Sequence, residues 1–279
     1  MLNPPLSLLS DDLLISIVEH VAKLPLADKN LYNLSLADRA FTQSCQKYFF
    51  RDLKLSSKQK IAKKLKETKK IFEEKPSLAN QVRMVELLIS RRSSWVLKDY
   101  AFISILQLLS KSLMPPHELH FGGHMSSFAI KDPILIVRQF AQSFFSQTLT
   151  ILRLTDCANI PLPLFLICPR LREVFLNNIR AIDNTYNEYP DNLCSVREAP
   201  PLEVLDYRDS HSLVKQMINP PSRFNTPVVL WSNLRILMLS PHEKKGMAYL
   251  QPILDAACNT SEELYLTSIA WDKCRCIFF

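Results

Sequence analysis

The chain has 279 residues, of which 47% are hydrophobic and 22% are charged. These proportions are typical of a folded globular protein and exclude an intrinsically disordered chain. Only three glycines occur, which excludes glycine-rich phosphate-binding loops and dinucleotide-binding turns. The formal net charge is +7, but residues 58–75 alone carry eight lysines and three glutamates, a net +5. The charge is therefore local, and we do not expect the protein to bind nucleic acid.

The cysteines and the N-terminus indicate the compartment. Seven cysteines are scattered along the chain and form no disulfide framework. The first residues, MLNPPLSLLSDD, lack the basic leader and the apolar core of a secretory signal. No apolar stretch approaches the roughly 20 residues of a membrane-spanning helix. We therefore expect reduced thiols, no transmembrane segment, and a cytoplasmic or nuclear protein.

The first predicted element is an unusually apolar helix that begins after Ser10. Ser10 is a typical N-cap, and Asp11 and Asp12 place negative charge in the first turn. Seven apolar side chains cover an arc of roughly 200°, wider than the stripe of about 100° that a core-facing helix needs. They are Leu13, Leu14, Ile15, Ile17, Val18, Val21 and Ala22. We infer that one side of this helix packs on its own module and another side meets a partner.

Two further short helices follow. One begins near Asp28, and the other begins around Ser35, where Ser35 and Asp38 resemble a capping box. The phrase FFRDLKL then indicates an aromatic anchor that leads into a short strand. So small a unit has little room for a core and is marginally stable alone.

The lysine-rich stretch that follows is predicted to be an amphipathic helix. Ile61, Leu65, Thr68 and Phe72 recur at helical spacing, and the lysines form the outer face. We expect a solvated linker helix. Binding of phosphates or of an anionic lipid surface is the alternative.

From residue 81 onward a short leucine phrase recurs. LTILRLTDC, residues 149–157, matches L-x-x-L-x-L-x-x-C, and similar phrases start near residues 82, 116, 171, 202, 234 and 261. Helical segments lie between the phrases, and Asp132 and Pro133 form an N-cap and first-turn pair that opens one of them. The pattern predicts a leucine-rich-repeat solenoid. A doubly wound sheet, which alternating strands and helices also support, is the alternative. The apolar ending IFF is typical of a short or truncated array, because repeat arrays normally end in a polar capping unit.

The layout resembles that of F-box proteins with degenerate leucine-rich repeats, especially fungal ones. LSDDLLISIV and NLSLADRAFTQSCQKYFFRDLKL are similar to the two halves of the F-box motif. The proline usual after the first leucine is Ser10 here, which keeps the cap but removes one apolar contact. The resemblance implies a fold of class α + α/β. A three-helix F-box-like module (1–56) precedes a lysine-rich helical linker (57–80) and a leucine-rich-repeat-like solenoid (81–279).

The resemblance also implies a function. The chain would be the substrate-receptor subunit of a cullin–RING ubiquitin ligase, docking on the small adaptor subunit and holding a target protein whose identity the sequence does not give. The residues implied in docking are Leu9, Ser10, Leu13, Ile17, Leu34, Leu36 and Arg39. The rival function is a ubiquitin-independent repeat scaffold that engages an anionic surface through the lysine-rich helix.

Candidate target contacts come from the alternation of side chains along a strand. The residue between the two inward leucines of each phrase points to the open face of the sheet. This rule selects His120, Arg153, Phe175, Asp206, Met238 and Tyr265. Among them we favour Arg153, Phe175 and Tyr265, because Arg and aromatic residues are enriched at binding hot spots.

We expect no metal, no cofactor and no catalytic activity. HELHFGGH contains His117, His120 and His124, but Phe121 takes the position of the second histidine of H-E-x-x-H. Cys274 and Cys276 form C-x-C without a matching pair. The ending CIFF formally fits a prenylation box at Cys276, but no polybasic stretch lies beside it. Motifs of nucleophilic catalysis are absent from the sequence.

Overall fold

The computed structural model describes residues 9–56, 61–123, 128–181, 198–222, 224, 227–240, 250–266 and 276–278. Three helices come first, and a long sheet with intervening helices follows. The described chain is therefore mixed helix and strand, with an all-helical beginning and an α/β remainder.

The N-terminal helices are α1 (Asp11–Ala22), α2 (Ala27–Ala37) and α3 (Arg39–Phe49). The predicted cap of α1 is confirmed, because the Ser10 hydroxyl accepts a hydrogen bond from the Leu13 amide at 3.4 Å. The predicted start of α3 is wrong. Ser35 lies inside α2 and donates to the Tyr32 carbonyl at 2.7 Å, so its hydroxyl serves α2. Asp38 alone caps α3, accepting from the Ala40 amide at 2.9 Å.

These three helices enclose a small core of their own. Its fully buried members are Leu14, Val18, Leu31, Phe41 and Cys45. This cluster is distinct from the large core that lies under the sheet. The N-terminal module therefore holds its shape through few apolar contacts, as its size predicts.

The main sheet has nine strands, eight of which are parallel. In chain order the strands of the protein are β1 (Asp52–Ser56), β2 (Met84–Ile89), β3 (Glu118–Gly123), β4 (Phe128–Ala129), β5 (Ile151–Thr155), β6 (Cys157–Ala158), β7 (Glu173–Asn177), β8 (Val204–Arg208), β9 (Ile236–Ser240), β10 (Glu263–Leu266) and β11 (Cys276–Phe278). Their order across the sheet is β1-β2-β3-β5-β7-β8-β9-β10-β11, and β4 pairs with β6 in a small separate sheet. Only β11 runs antiparallel to its neighbour among the strands described.

Helices connect these strands. They are α4 (Ile61–Glu74), α5 (Pro76–Ala79), a 3₁₀ helix (Arg91–Lys98), α6 (Tyr100–Ser110), α7 (Pro133–Leu135) continued by a π-helix (Ile136–Phe145), α8 (Pro163–Leu166), α9 (His211–Ile218), a 3₁₀ helix (Trp231–Asn233) and α10 (Leu250–Ala257). The predicted N-cap of α7 is confirmed, because the Asp132 carboxylate accepts from the Leu135 amide at 3.0 Å.

Alternation along the strands gives the sheet two different faces. Residues that point to the helices form two buried rows, for example through Leu152 and Leu154 of β5. The buried side chains of α4 and α6 belong to the same core. Parallel sheets usually have both faces covered. Here the opposite side chains stay mostly half-buried or exposed, so the sheet presents an outer face.

The sheet begins earlier than the sequence pattern suggested. β1 pairs in parallel with β2, placing Lys54 opposite Glu86. The helix α4 buries Ile61, Leu65 and Phe72 in the core under the sheet. Residues 61–74 therefore pack as the helix of a first strand–helix unit, which differs from the solvated linker expected for 57–80.

The strand order also bears on the doubly wound alternative. That arrangement reverses its strand order at a switch point. The eight parallel strands described here instead follow the chain in sequence from one edge, with no reversal among them.

Candidate functional site

The helix α1 directs its apolar side chains to two neighbouring sides, about 100° apart around the helix axis. Leu14 and Val18 are 6% and 0% exposed, whereas Leu13 and Ile17 are 54% and 37% exposed. The inner pair belongs to the core of the module. The outer pair has apolar surface in contact with water. The wide apolar arc thus divides into a packing side and an exposed side.

The other predicted docking residues divide in the same way. Leu36 of α2 is exposed, and so are Ser10 and Arg39 at the beginnings of α1 and α3. Leu9 and Leu34 are half-buried and pack against the module core. They therefore support the shape of the module and offer little surface to a partner.

Further exposed apolar side chains of this module are not among the predicted docking residues. Leu24, Leu26 and Tyr32 are also exposed. Six of the thirteen large exposed hydrophobic side chains among the described residues consequently lie between residues 13 and 36. Single exposed apolar residues are common on proteins, whereas contiguous apolar patches mark interaction surfaces. The concentration in this module makes it a candidate for such a surface. The sequence feature that could have indicated this surface is the pair Leu24 and Leu26 on either side of Pro25.

The second candidate surface is the outer face of the sheet, where the six predicted target residues form one row. They stand directly opposite one another on neighbouring strands, in the order His120, Arg153, Phe175, Asp206, Met238, Tyr265. Glu86 and Lys54 extend the row to β2 and β1. With strands about 4.8 Å apart, eight strands make a row of roughly 34 Å. The middle residues of the leucine phrases therefore occupy equivalent positions on neighbouring strands.

His120 is held by two neighbours in this row. Its Nδ1 lies 3.4 Å from Glu86 Oε2, and its Nε2 lies 3.2 Å from Thr155 Oγ1. Among the residues that the structure describes, no group of three or more His, Cys, Asp or Glu side chains is placed to hold a metal ion. His124, Cys274 and the side chain of Cys276 lie outside the described set.

Arg153 is also fixed. Its Nε donates to Glu118 Oε1 at 2.6 Å, and its guanidinium lies 3.8 Å from the ring centroid of Phe175. Asp206 is less available than the sequence suggested, because its side chain is nearly buried and accepts hydrogen bonds from Arg208 at 3.3 Å. Arg153 and Phe175 therefore offer a preformed guanidinium and ring surface.

The far end of the row is more open. Met238 is half-buried, and Tyr265 is exposed. The Tyr265 hydroxyl donates to the Glu263 carboxylate, and this hydrogen bond raises the pKa of the phenol above its usual value. The Tyr265 phenol thus stays neutral at physiological pH, and its ring stays exposed.

A shallow pocket of about 220 Å³ lies on this face where β3, β5, β7 and β8 adjoin. His120, Arg153, Phe175 and Asp206 line it, together with Arg208. Arg208 is not among the predicted target contacts, although it lies two residues beyond Asp206 and therefore on the same face. Taking every outward position of each phrase would have found it.

The outer face is acidic although the chain is basic. Along β1 to β10 as described, the outward positions carry six carboxylates and three basic side chains, a formal excess of three negative charges. The carboxylates are Asp52, Glu86, Glu118, Glu173, Asp206 and Glu263, and the basic residues are Lys54, Arg153 and Arg208. The net charge of the whole chain is +7. The face therefore attracts positive charge on a partner.

The lysine-rich helix α4 carries much less free charge than its lysines suggest. Its five lysines face three glutamates, and three pairs at i,i+4 spacing lie at 3.6, 3.5 and 3.7 Å. Lys69 additionally lies 4.5 Å from the centre of the Tyr100 ring. Lys58 and Lys60 are outside the described residues.

A larger pocket of about 480 Å³ lies between the N-terminal helices and the first strands of the sheet. Both signs of charge line it, including Glu19, Lys47, Arg51, Arg83 and Glu118. Arg83 is already used, because its guanidinium donates to the backbone carbonyls of Asn80 and Met114. The mixed lining selects no particular ligand charge.

The described helices include none that combines the length and the apolar character needed to cross a membrane. No protein-family model matches the sequence, and no curated protein matches it.

Proposed function

We propose that this protein is the substrate-receptor subunit of a cullin–RING ubiquitin ligase. In this proposal the N-terminal module docks on the small adaptor subunit of the ligase. The strand–helix units form a leucine-rich-repeat-like solenoid whose outer sheet face holds the target protein. The chain binds two partners and contributes no catalytic group or cofactor of its own.

The observation that carries the docking half is the division of α1. Leu14 and Val18 pack inward while Leu13 and Ile17 stay exposed on the same helix. Keeping such side chains in water is unfavourable by about 25 cal/mol per Å² of apolar surface. A partner helix or groove that covers them recovers this free energy. The F-box resemblance supplies the identity of that partner.

Two features support the receptor half. The strands follow the chain in order and keep one face free of the connecting helices, which is the arrangement a repeat solenoid needs. The free face carries Arg153, Phe175 and Tyr265, residue types that dominate binding energy in protein interfaces. Its excess of acidic groups favours a target with a basic segment.

The direct test is complex formation with the purified adaptor subunit, followed by size-exclusion chromatography and calorimetry. We expect the wild-type chain to form a stable complex. The variant with Leu13→Asp and Ile17→Asp should lose affinity by at least about a hundredfold, because two charges would have to be desolvated in the interface. Both sites are exposed, so the helical content measured by circular dichroism should not change.

A matched control comes from outside the module. Leu113 is 88% exposed and follows α6, so Leu113→Asp replaces an apolar side chain by a charge at a site more exposed than Leu13 or Ile17. This variant should bind the adaptor as the wild type does. Absence of any wild-type complex would refute the adaptor function, and equal losses in both variants would refute the assignment to α1.

The rival scaffold function depends on the lysine-rich helix binding an anionic surface. The i,i+4 glutamates reduce the charge of α4 to a net +2 over its described length. We therefore expect no co-sedimentation of the protein with phosphatidylserine vesicles at physiological salt. A positive control is the variant in which Glu67, Glu73 and Glu74 are replaced by Gln, which raises the charge of the helix to +5. Vesicle binding by the wild-type chain would favour the rival.

A further inference from the structure

Three polar side chains lie in line on the outer face of the sheet. Glu86 of β2 and His120 of β3 stand directly opposite each other, and Thr155 of β5 stands opposite Gly122, two residues beyond His120. Glu86 Oε2 lies 3.4 Å from His120 Nδ1, and His120 Nε2 lies 3.2 Å from Thr155 Oγ1. A carboxylate, an imidazole and a hydroxyl therefore follow one another across three neighbouring strands.

The order of these groups determines where the protons lie. An ionised carboxylate can only accept a hydrogen bond, so Glu86 favours the tautomer of His120 that carries its proton on Nδ1. The other ring nitrogen, Nε2, is then an acceptor, and the Thr155 hydroxyl donates to it. This is the relationship of nucleophile, base and orienting group on which nucleophilic catalysis depends. Such contacts are often longer than ordinary hydrogen bonds until a substrate is bound.

His120 and Thr155 both line the shallow pocket of about 220 Å³ on this face. Arg153, Phe175 and Asn177 line it as well, and Asn177 stands directly opposite Thr155 on β7. The Asn177 amide and the Arg153 guanidinium supply N–H donors beside the hydroxyl, where the negative oxygen of a tetrahedral intermediate would form. Phe175 supplies an apolar wall. A cavity of about 150 Å³ is sufficient to hold benzene, so the pocket admits a small ester.

We propose that this pocket hydrolyses small carboxylic esters, with Thr155 as the nucleophile and His120 as the general base. Thr155 Oγ1 attacks the ester carbonyl carbon while its proton passes to His120 Nε2. The bond from that carbon to the alkoxide then breaks, and the alkoxide leaves with the proton as the alcohol. Water, deprotonated by His120, attacks the acyl-threonine, which releases the carboxylic acid and restores the hydroxyl. One ester and one water thus give one acid and one alcohol.

This activity goes beyond the proposed ligase function and is separate from ubiquitin transfer, to which the receptor contributes no catalytic group. The test uses the full chain and the chromogenic ester 4-nitrophenyl acetate. We expect a rapid burst of about one equivalent of 4-nitrophenolate followed by a slower steady rate, because the acyl intermediate accumulates. Peptide mapping of the acid-quenched protein by mass spectrometry should find the acetyl group on Thr155.

Matched variants separate this site from general hydrolysis by surface groups. Thr155→Val keeps the shape of the side chain without the hydroxyl and should abolish the burst, whereas Thr155→Ser keeps a hydroxyl and should retain it. His120→Gln should lower kcat by at least about a hundredfold, as expected for the loss of a general base. His20→Gln removes an exposed imidazole from α1 and should leave the rate unchanged.

Glu86 acts through His120 and is a positioning residue. Glu86→Gln should lower kcat by at least about tenfold and leave KM unchanged, because the carboxylate does not contact the ester. A raised KM with unchanged kcat would contradict this role.

Equal rates for the wild type and Thr155→Val would overturn the proposal, and so would wild-type hydrolysis no faster than the reaction without protein. An acetyl group that maps only to residues other than Thr155 would also overturn it, and this result does not depend on the folding of any variant. Adaptor binding is measured separately through α1, so failure here leaves the proposed ligase function unaffected.

Discussion

The guanidinium of Arg153 lies 3.8 Å from the centroid of the Phe175 ring, and the two residues stand directly opposite each other on β5 and β7. Glu118 holds the same arginine at 2.6 Å. Arg153 is therefore held in one orientation without any bound partner. Ordering a long side chain during association costs free energy, so a preformed pair binds more tightly than the same residues left mobile.

This relationship can be measured without a target. In a double-mutant cycle of Arg153→Ala and Phe175→Ala, the stability of each protein is measured by urea denaturation. The cycle should give a coupling free energy of about 0.5–1 kcal/mol. The same cycle between Arg235 and Phe175 should give a coupling free energy near zero. Arg235 lies directly before β9 and is paired with Glu262 instead. A zero coupling for Arg153 and Phe175 would mean that the contact contributes nothing in solution.

The outer row should be needed for target capture. Replacing Arg153, Phe175 and Tyr265 together with alanine should leave the melting temperature within a few degrees of the wild type, since all three side chains retain contact with water. A target that the wild-type chain retains on an affinity column should no longer be retained. The matched control replaces the exposed Lys111 and Leu113, away from the sheet. Capture that persists in the triple variant would show that the target binds elsewhere.

The N-terminal module should unfold separately from the sheet. Phe41→Ala removes a large side chain from a core of five buried residues, at a cost of about 3–5 kcal/mol. A module with so small a core cannot absorb this loss. Hydrogen exchange should become fast in α1 to α3 while the amides of β5 and β7 stay protected. Equal loss of protection in the strands would mean that the two cores unfold as one.

Gly122 should not tolerate a methyl group. A Cβ built at this position would lie 2.6 Å from the Thr155 carbonyl oxygen on the adjacent strand. Gly122→Ala should destabilise the protein by about 1–3 kcal/mol, because backbone must move to make room. Asn177→Ala in the same row, at an exposed position, should change stability by less than about 0.5 kcal/mol. Chemical denaturation of both variants compares them directly.

Thiol reactivity should follow burial. Burial raises the pKa of Cys157 and of Cys168 to about 12, from the ordinary thiol value of 9.0. Both thiols should resist iodoacetamide at pH 8 in the folded protein, whereas the exposed Cys258 should be alkylated. Peptide mapping by mass spectrometry measures each site. Rapid labelling of Cys157 or Cys168 would contradict their burial.

The same two thiols make stability depend on pH. The contribution of these thiols to the free energy of unfolding is fully present below pH 9, where they keep the proton in both the folded and the unfolded state. Between about pH 9 and pH 12 the unfolded thiols lose their protons and the folded ones do not, so the free energy of unfolding falls as the pH rises. Cys168→Ala should show a shallower fall than the wild type over this range.

Local sequence was sufficient to predict several features of the fold. Ser10 and Asp132 were recognised as N-caps because a cap needs only a short side chain and the amides three residues ahead. The six target candidates fell into one row because a strand alternates its side chains with a period of two. Ser35 was misread because its hydroxyl can bond either to the turn behind it or to the helix ahead, and only the packing of α2 against α3 decides between them.

The sequence by itself determined which residues are apolar, at what period they recur, and hence the alternation of strands and helices. Only the tertiary structure decided which half of the α1 arc is covered, because Leu13 and Leu14 are equally apolar and the core that covers Leu14 comes from Leu31 of α2 and from Phe41 and Cys45 of α3. It also decided that β1 joins the sheet, that α4 packs in the core under it, and that Glu118 and Phe175 hold Arg153. These are contacts between residues about 20 or more positions apart, and no local pattern encodes them.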